Sequence, residues 1–149
     1  MQRALATALL TLAAAACAPD GPRAIGYGTE PCEHCHMTIS DPRFAAEART
    51  EGGRLLVFDD VGCLAAWLRG APGARGWVVS YVDRTSWLPA DSAVYLRTDT
   101  LRTPMASGLV ALRAGAEADS VRTALGGRLL TWGEVLAAAP ADHQLGHAP

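Results

Sequence analysis

Val61, Leu64, Ala65 and Leu68 recur at the i, i+3, i+4, i+7 spacing of a single helix face. Asp60 stands where an N-cap belongs, and Gly70 with Pro72 stops the pattern, so a helix is predicted over residues 60–69. Shorter apolar runs at 44–49 and 109–113 read as strands, as do the β-rich stretches 77–83 and 93–97, with a turn near Pro89. A second helical piece is expected at about 117–125, and Thr131 with Glu134 forms a capping-box pair ahead of 135–139. The decapeptide beginning Gly52-Gly53-Arg54-Leu55-Leu56 returns at Gly126-Gly127-Arg128-Leu129-Leu130, with six of ten positions identical. Each copy reads as a Gly-Gly turn, a short strand and an acidic helix start. The pattern predicts an α+β domain over residues 31–140, built of two related ββα units at about 31–70 and 103–140. One mixed sheet with a chance resemblance is the alternative.

The ends of the chain follow another logic. Met1-Gln2-Arg3, an apolar run from Ala4 to Ala16 and then Cys17 resemble a bacterial lipoprotein signal, too short to span a bilayer. Residues 1–16 are read as signal peptide, Cys17 as the lipidated residue and 17–30 as anchor and tether. Ordinary cleavage after an Ala-x-Ala is the alternative, and both imply export. Residues 141–149, with His143 and His147 four apart, read as a loose tail.

Of 149 residues, 50% are hydrophobic and 19% charged, which excludes disorder and coiled coil. All thirteen basic residues are scattered arginines and the net charge is −2, so no stripe exists for nucleic acid. Without Cys17, three cysteines remain, a number that disulfides alone cannot satisfy.

Those thiols carry the candidate chemistry. Cys32-Glu33-His34-Cys35-His36-Met37 places two thiols, a thioether and two imidazoles in six residues. Thiolate with thioether is the soft donor set that prefers Cu(I). Met105, on the turn-like Thr103-Pro104-Met105-Ala106, matches Met37 by its place ahead of the second unit. Cys63 falls in the first turn of the predicted helix, where the dipole favours a thiolate. Three other readings stay open: a structural zinc site from the three cysteines and a His, a redox Cys-x-x-Cys, and a Cys32–Cys35 disulfide with both methionines in the core. Asp59-Asp60 is a candidate hard-metal or supporting pair, although capping alone accounts for Asp60. No hydrolase or nucleotide motif stands out.

Cys32-x-x-Cys35-x-Met37-x-Ile39, Phe44-Ala45-Ala46, Phe58-Asp59-Asp60-x-Gly62-Cys63-Leu64, Thr103-Pro104-Met105-x-x-Gly108 and Gly126-Gly127 together resemble NosL. That family comprises lipoprotein copper chaperones of nitrous oxide reductase assembly. The resemblance implies paired ββα-like units related to the organomercurial lyase fold and Cu(I) binding on the periplasmic side of the envelope. It also implies delivery to the nitrous oxide reductase apoprotein with a membrane ABC-type maturation complex. His36 departs from the family's usual Gly, which removes backbone freedom and adds a nitrogen donor. The expected protein is a lipid-anchored Cu(I) carrier and not an enzyme. Cys32 and Cys35 are its thiolates, Met37 and Met105 its thioethers, and His36 and Cys63 second-choice donors. An exported thiol-disulfide oxidoreductase using Cys32 and Cys35, a structural zinc module and a carbon–mercury lyase are the rivals; shared fold alone supports the last.

Overall fold

Gly52 and Gly53 turn the chain between β1 (Ala46–Arg49) and β2 (Leu55–Phe58), with Gly53 at a left-handed φ of 86°. The computed structural model describes residues 21–140. β1 and β2 pair antiparallel, Ala46 opposite Phe58 and Arg49 opposite Leu55. Asp60 then caps α1 (Val61–Arg69), accepting the Gly62 N–H at 2.6 Å, and Gly70 closes it by donating to the Trp67 carbonyl. β3 (Arg75–Val79) returns along the other side of β1, and β4 (Trp87–Pro89) adds outside it, giving the order β2-β1-β3-β4. The Pro89 carbonyl accepts from Ser92 and Ala93 and makes the expected turn.

The second half contributes β5 (Val94–Arg97), β6 (Leu109–Leu112), α2 (Ala116–Leu125), β7 (Arg128–Leu130) and α3 (Trp132–Ala138). Their sheet has the order β6-β5-β7. Thr131 and Glu134 form the capping box expected at α3. A parallel bridge between Ser80 and Ala111 joins the two sheets, with the Tyr81 N–H donating to the Ala111 carbonyl at 2.9 Å.

The class is α+β, but the two units are cut differently from the sequence repeat. In each sheet the first strand is central: β1 lies between β2 and β3, and β5 between β6 and β7. Both halves therefore follow one β-β-α-β path, with α1 between β2 and β3 and α2 between β6 and β7. The Gly-Gly repeat instead matches β2–α1 to β7–α3, one element out of phase. The strands of its second copy, β6 and β7, do not pair with each other. Turn and cap residues report a local strand-to-helix handover; they say nothing about which strand lies next door.

Sheet β6-β5-β7 is covered on both faces, which is why β6 reads as the unbroken apolar run Leu-Val-Ala-Leu. Tyr95, Leu109, Ala111 and Leu130 enter the main core with Phe58, Leu64 and Val78. Leu96, Val110 and Leu112 face the other way, onto Phe44 and Ala118 of α2. Full burial of such a side chain contributes about 1.5–3 kcal/mol.

The expected tether at 17–30 is corrected for its described part, residues 21–30; residues 17–20 lie outside the described residues. From Gly21 onward the segment belongs to the domain. Glu47 of β1 is wholly buried, and the Arg23 N–H donates to both its carboxylate oxygens at 3.2 and 3.1 Å. Ile25 enters the core and the Gly28 N–H donates to the Ile39 carbonyl at 2.8 Å. A buried carboxylate must be hydrogen-bonded, and this segment supplies the donor. Cys17, the signal segment 1–16, His143 and His147 lie outside the described residues. Among those described, no helix is long and apolar enough to cross a membrane.

Candidate metal centre

A bridge between Pro31 and Thr38 closes the cysteine-rich loop. Inside it, the Cys32 N–H donates to the Met37 carbonyl at 2.8 Å and the His36 N–H to the Cys32 carbonyl at 3.0 Å. The Glu33 N–H, donating to the Val57 carbonyl at 2.9 Å, pins the loop to β2. Tight closure forces His36 to a left-handed φ of 61°, a conformation that Gly would adopt freely. Cys32 and Cys35 thus sit in a bridged loop, not at the opening of a helix as in thioredoxin-like redox motifs.

α1 brings the third thiol. β2 runs straight into Asp59, Asp60 caps the helix, and Cys63 lies in its first turn. The sulfurs of Cys32, Cys35 and Cys63 and a carboxylate oxygen of Asp59 all lie within 4.8 Å of one another. All three thiols are free. Cys32, Cys63 and Asp59 are buried, while Cys35 is partly exposed at the edge. The Cys35 thiol donates to Asp59 Oδ1 at 3.3 Å, and Asp59 Oδ2 is buried with no partner.

The thiols are electrostatically unequal. A hydrogen bond from Cys63, helped by the amides of Cys35, Asp59 and His34, brings Cys32 down to about 6. Cys35 is pushed up to about 12, chiefly by burial. Cys63 is driven well above the ordinary thiol range by its bond to Cys32, then by burial and the surrounding negative charge. The helix dipole was expected to favour a thiolate on Cys63. The balance favours Cys32 instead: Cys63 and the loop amides stabilise its thiolate, while Cys32, burial and the nearby negative charge oppose one on Cys63. Three sulfurs with a buried carboxylate at their side, one of whose oxygens is unpartnered, make a donor set that a thiophilic cation would satisfy.

The turn that carries Met105 is tied to the start of α1 through Asp60. The 103–106 turn closes with the Ala106 N–H donating to the Thr103 carbonyl at 3.0 Å, and Ala106 is left-handed at φ 55°. Asp60 Oδ2 accepts the Met105 N–H at 3.2 Å while Oδ1 caps α1. The turn also rests on the helix start at Gly62, where an added Cβ would lie 2.9 Å from the Ser107 Cβ. Met37 and Met105 are 50% and 44% exposed, unusual for large apolar side chains. The thiols are thus sunk, and both thioethers lie open on the segments that border them. His36 is exposed and lies outside the close cluster, which its neighbour His34 also does not join.

Asp59 was offered by the sequence only as half of a hard-metal or supporting pair with Asp60; the structure puts Asp59 among the thiols and leaves Asp60 to cap α1 and hold the Met105 turn.

A family model described as NosL matches residues 25–140. The crystal structure of the copper chaperone NosL from Shewanella denitrificans is similar, with a TM-score of 0.69 and 18% identity over 78% of this chain and 96% of that one. At this identity the likeness concerns the fold. No curated protein matches.

Proposed function

This chain belongs to the NosL family, and from that premise we propose that it is a Cu(I) carrier of the cell envelope. In this reading it is held by lipid on Cys17 at the periplasmic side of a membrane and delivers copper to the nitrous oxide reductase apoprotein, with a membrane ABC-type maturation complex taking part. It carries cargo and catalyses no turnover.

The observation that supports this most is the nest of three thiols, with exposed Met37 in the same loop and exposed Met105 on a turn tied to the start of α1 through Asp60. Soft, polarisable sulfur holds Cu(I) without the hydration or oxygen ligands that harder ions demand. Cys32, already favouring its thiolate, and Cys35 are the main ligands. Met37 and Met105 are neutral donors, so they hold the ion without adding charge and let go readily. Their exposure suits a carrier, because an acceptor sulfur or imidazole can approach while the thiolates still hold the metal. Cys63 and His36 are the reserve donors.

Competition of the reduced chain for Cu(I) against a chromophoric chelator tests this. Tight binding that weakens in Cys35→Ser and in Met105→Ala, with the fold retained, is the expected outcome. Indifference to both changes overturns it. One observation favours a second reading: three sulfurs and a carboxylate make four donors, the number of a closed zinc site. Zn²⁺ titrated in parallel separates the two, since a structural zinc protein loses its fold when stripped.

A further inference from the structure

A carrier must meet the protein that takes its cargo, and surface charge aims such meetings. Arg43, Arg54, Arg113 and Arg128 are matched by Asp41, Glu33, Asp83 and Glu134, all within 3.1 Å. Arg97 and Arg102 are exposed, and no carboxylate among the described residues forms an ion pair with either. Both line one surface hollow of about 480 Å³ together with Thr103, Ala106, Ser107 and Gly108, the residues of the turn that carries Met105. Asp99 lines it too, without pairing with either arginine. Arg97 also meets a like charge, because the register of β5 and β7 sets it directly opposite Arg128. Like charges opposite each other on a sheet cost stability, so the fold alone does not favour that placement. Three arginines against Asp99 and Glu134 leave this end of the second sheet net positive, in a chain whose overall charge is −2.

The turn beside the hollow is firmly held. Thr103 Oγ1 and Ser107 Oγ share a hydrogen bond at 3.2 Å, the Gly108 N–H donates to Thr103 Oγ1 at 3.1 Å, and Asp60 holds the Met105 N–H. Gly108 approaches the end of β5 so closely that an added Cβ would lie 2.6 Å from the Thr98 carbonyl oxygen. The Met105 thioether, 44% exposed, is thus displayed on a fixed edge flanked by cationic residues. Met37 has no such flank, since Glu33 of its loop is matched by Arg54.

We propose that Arg97 and Arg102 make the Met105 turn the docking face for the protein that accepts copper, and that this acceptor carries carboxylates around its metal entry. The inference rests on the reading of the chain as a Cu(I) carrier, and it puts handover on the Met105 side of the domain. A hollow of this size beside a raised thioether suits protruding carboxylate side chains. An anionic lipid surface would also attract arginines, but it offers no sulfur or imidazole to receive the metal. Two unpaired guanidinium groups at the rim of a contact speed the encounter and fix its orientation, while adding little to the affinity of the finished complex.

The full chain in detergent, loaded with Cu(I) under nitrogen, is mixed with nitrous oxide reductase apoprotein, and the copper gained by the re-isolated acceptor is followed in time. At low ionic strength Arg97→Glu and Arg102→Glu should each slow transfer about tenfold. The unaltered chain should lose its advantage in about 1 M salt, where charges act over only about 3 Å. Arg54→Glu, an equal change of charge in contact with the Met37 loop, should slow transfer far less. Arg97→Glu sets a carboxylate opposite Arg128, so thermal melting should show a fold at least as firm as before. Equal slowing by Arg54→Glu, faster transfer in either reversal, or a rate indifferent to both reversals and to salt overturns the proposal. So does an effect seen only when the chain sits in phosphatidylglycerol vesicles, because the arginines would then be meeting lipid. Cu(I) competition on the same samples keeps the ideas apart. If Cu(I) is held and passed on at a rate the reversals leave alone, only this inference fails. If it is held but never passed on, delivery to this acceptor fails and the inference with it. If Cu(I) is not held, the carrier reading itself falls.

Discussion

Asp60 carries two loads on one carboxylate, and they can be removed separately. Oδ1 caps α1 through Gly62 and Oδ2 holds the Met105 turn. In Asp60→Ala both vanish. Loss of the cap costs about 1–2 kcal/mol, and loss of a charged acceptor for the Met105 N–H about 1.5–3 kcal/mol, giving about 2.5–5 kcal/mol together. Asp60→Asn keeps an oxygen for the cap, where Asn serves as well as Asp, but turns an NH₂ toward the Met105 N–H. It should cost only the second part, about 1.5–3 kcal/mol. Urea unfolding reads both as a lower midpoint at unchanged slope. Cu(I) competition then tests whether the second load serves the site. If Asp60 acts by positioning Met105, Asp60→Asn weakens Cu(I) binding, and adding Met105→Ala to it weakens binding no further than Met105→Ala alone. Wild-type affinity in Asp60→Asn, or simple additivity in the double variant, refutes that coupling.

Three further outcomes are expected. His36→Gly relieves the left-handed φ of 61° and should raise stability by up to about 1 kcal/mol, less than the full relief because Gly also gains entropy when unfolded; thermal melting measures it, and a parallel loss of Cu(I) affinity would make the imidazole a ligand. Glu30 and Glu47 should shape the pH profile in opposite senses. The Arg23 hydrogen bond lowers Glu30 to about 2, so its contribution is present above the ordinary value of 4.5 and is lost as pH falls through about 2. Glu30 is partly exposed, and solvent screens the effect. Burial raises Glu47, so its contribution is greatest with the proton bound and declines as pH rises past the carboxylate range. Glu47→Gln, which keeps an acceptor for Arg23, should therefore raise stability at neutral pH in denaturant titrations, while Glu30→Gln should flatten the acid limb. Gly62→Ala puts a Cβ 2.9 Å from both Asp60 Oδ1 and the Ser107 Cβ, so a cost of about 1–3 kcal/mol and weaker Cu(I) binding are expected.

The features legible in the sequence were those made by neighbours along the chain. Asp60 before Val61, Leu64 and Leu68 announced α1, and Thr131 with Glu134 announced α3, because caps act over three or four residues. The soft-donor character of the site was legible too, since the loop concentrates sulfur in six positions. The repeat was genuine as a local signal and misleading as a topology, because β5 enters between the strands of its second copy. Capping singled out Asp60 in the sequence, but that Asp59 turns toward the cysteines was not legible, because the thiols it meets lie in a separate loop more than twenty residues earlier. The segment from Gly21 looked like a linker by composition, and its docking depends on Glu47, more than twenty residues away.

The seat of Arg23 on Glu47 also decides how the domain bears a pull. The N-terminal segment enters at β1, which has a hydrogen-bonded neighbour on each side, and the Arg49 guanidinium grips the Gly21 carbonyl at 2.7 Å. Traction on the chain ahead of Gly21 therefore loads two ladders at once, where an edge strand would peel open one rung at a time. Force applied at Gly21 is thus shared across the sheet before it can reach the loop that carries Cys32 and Cys35.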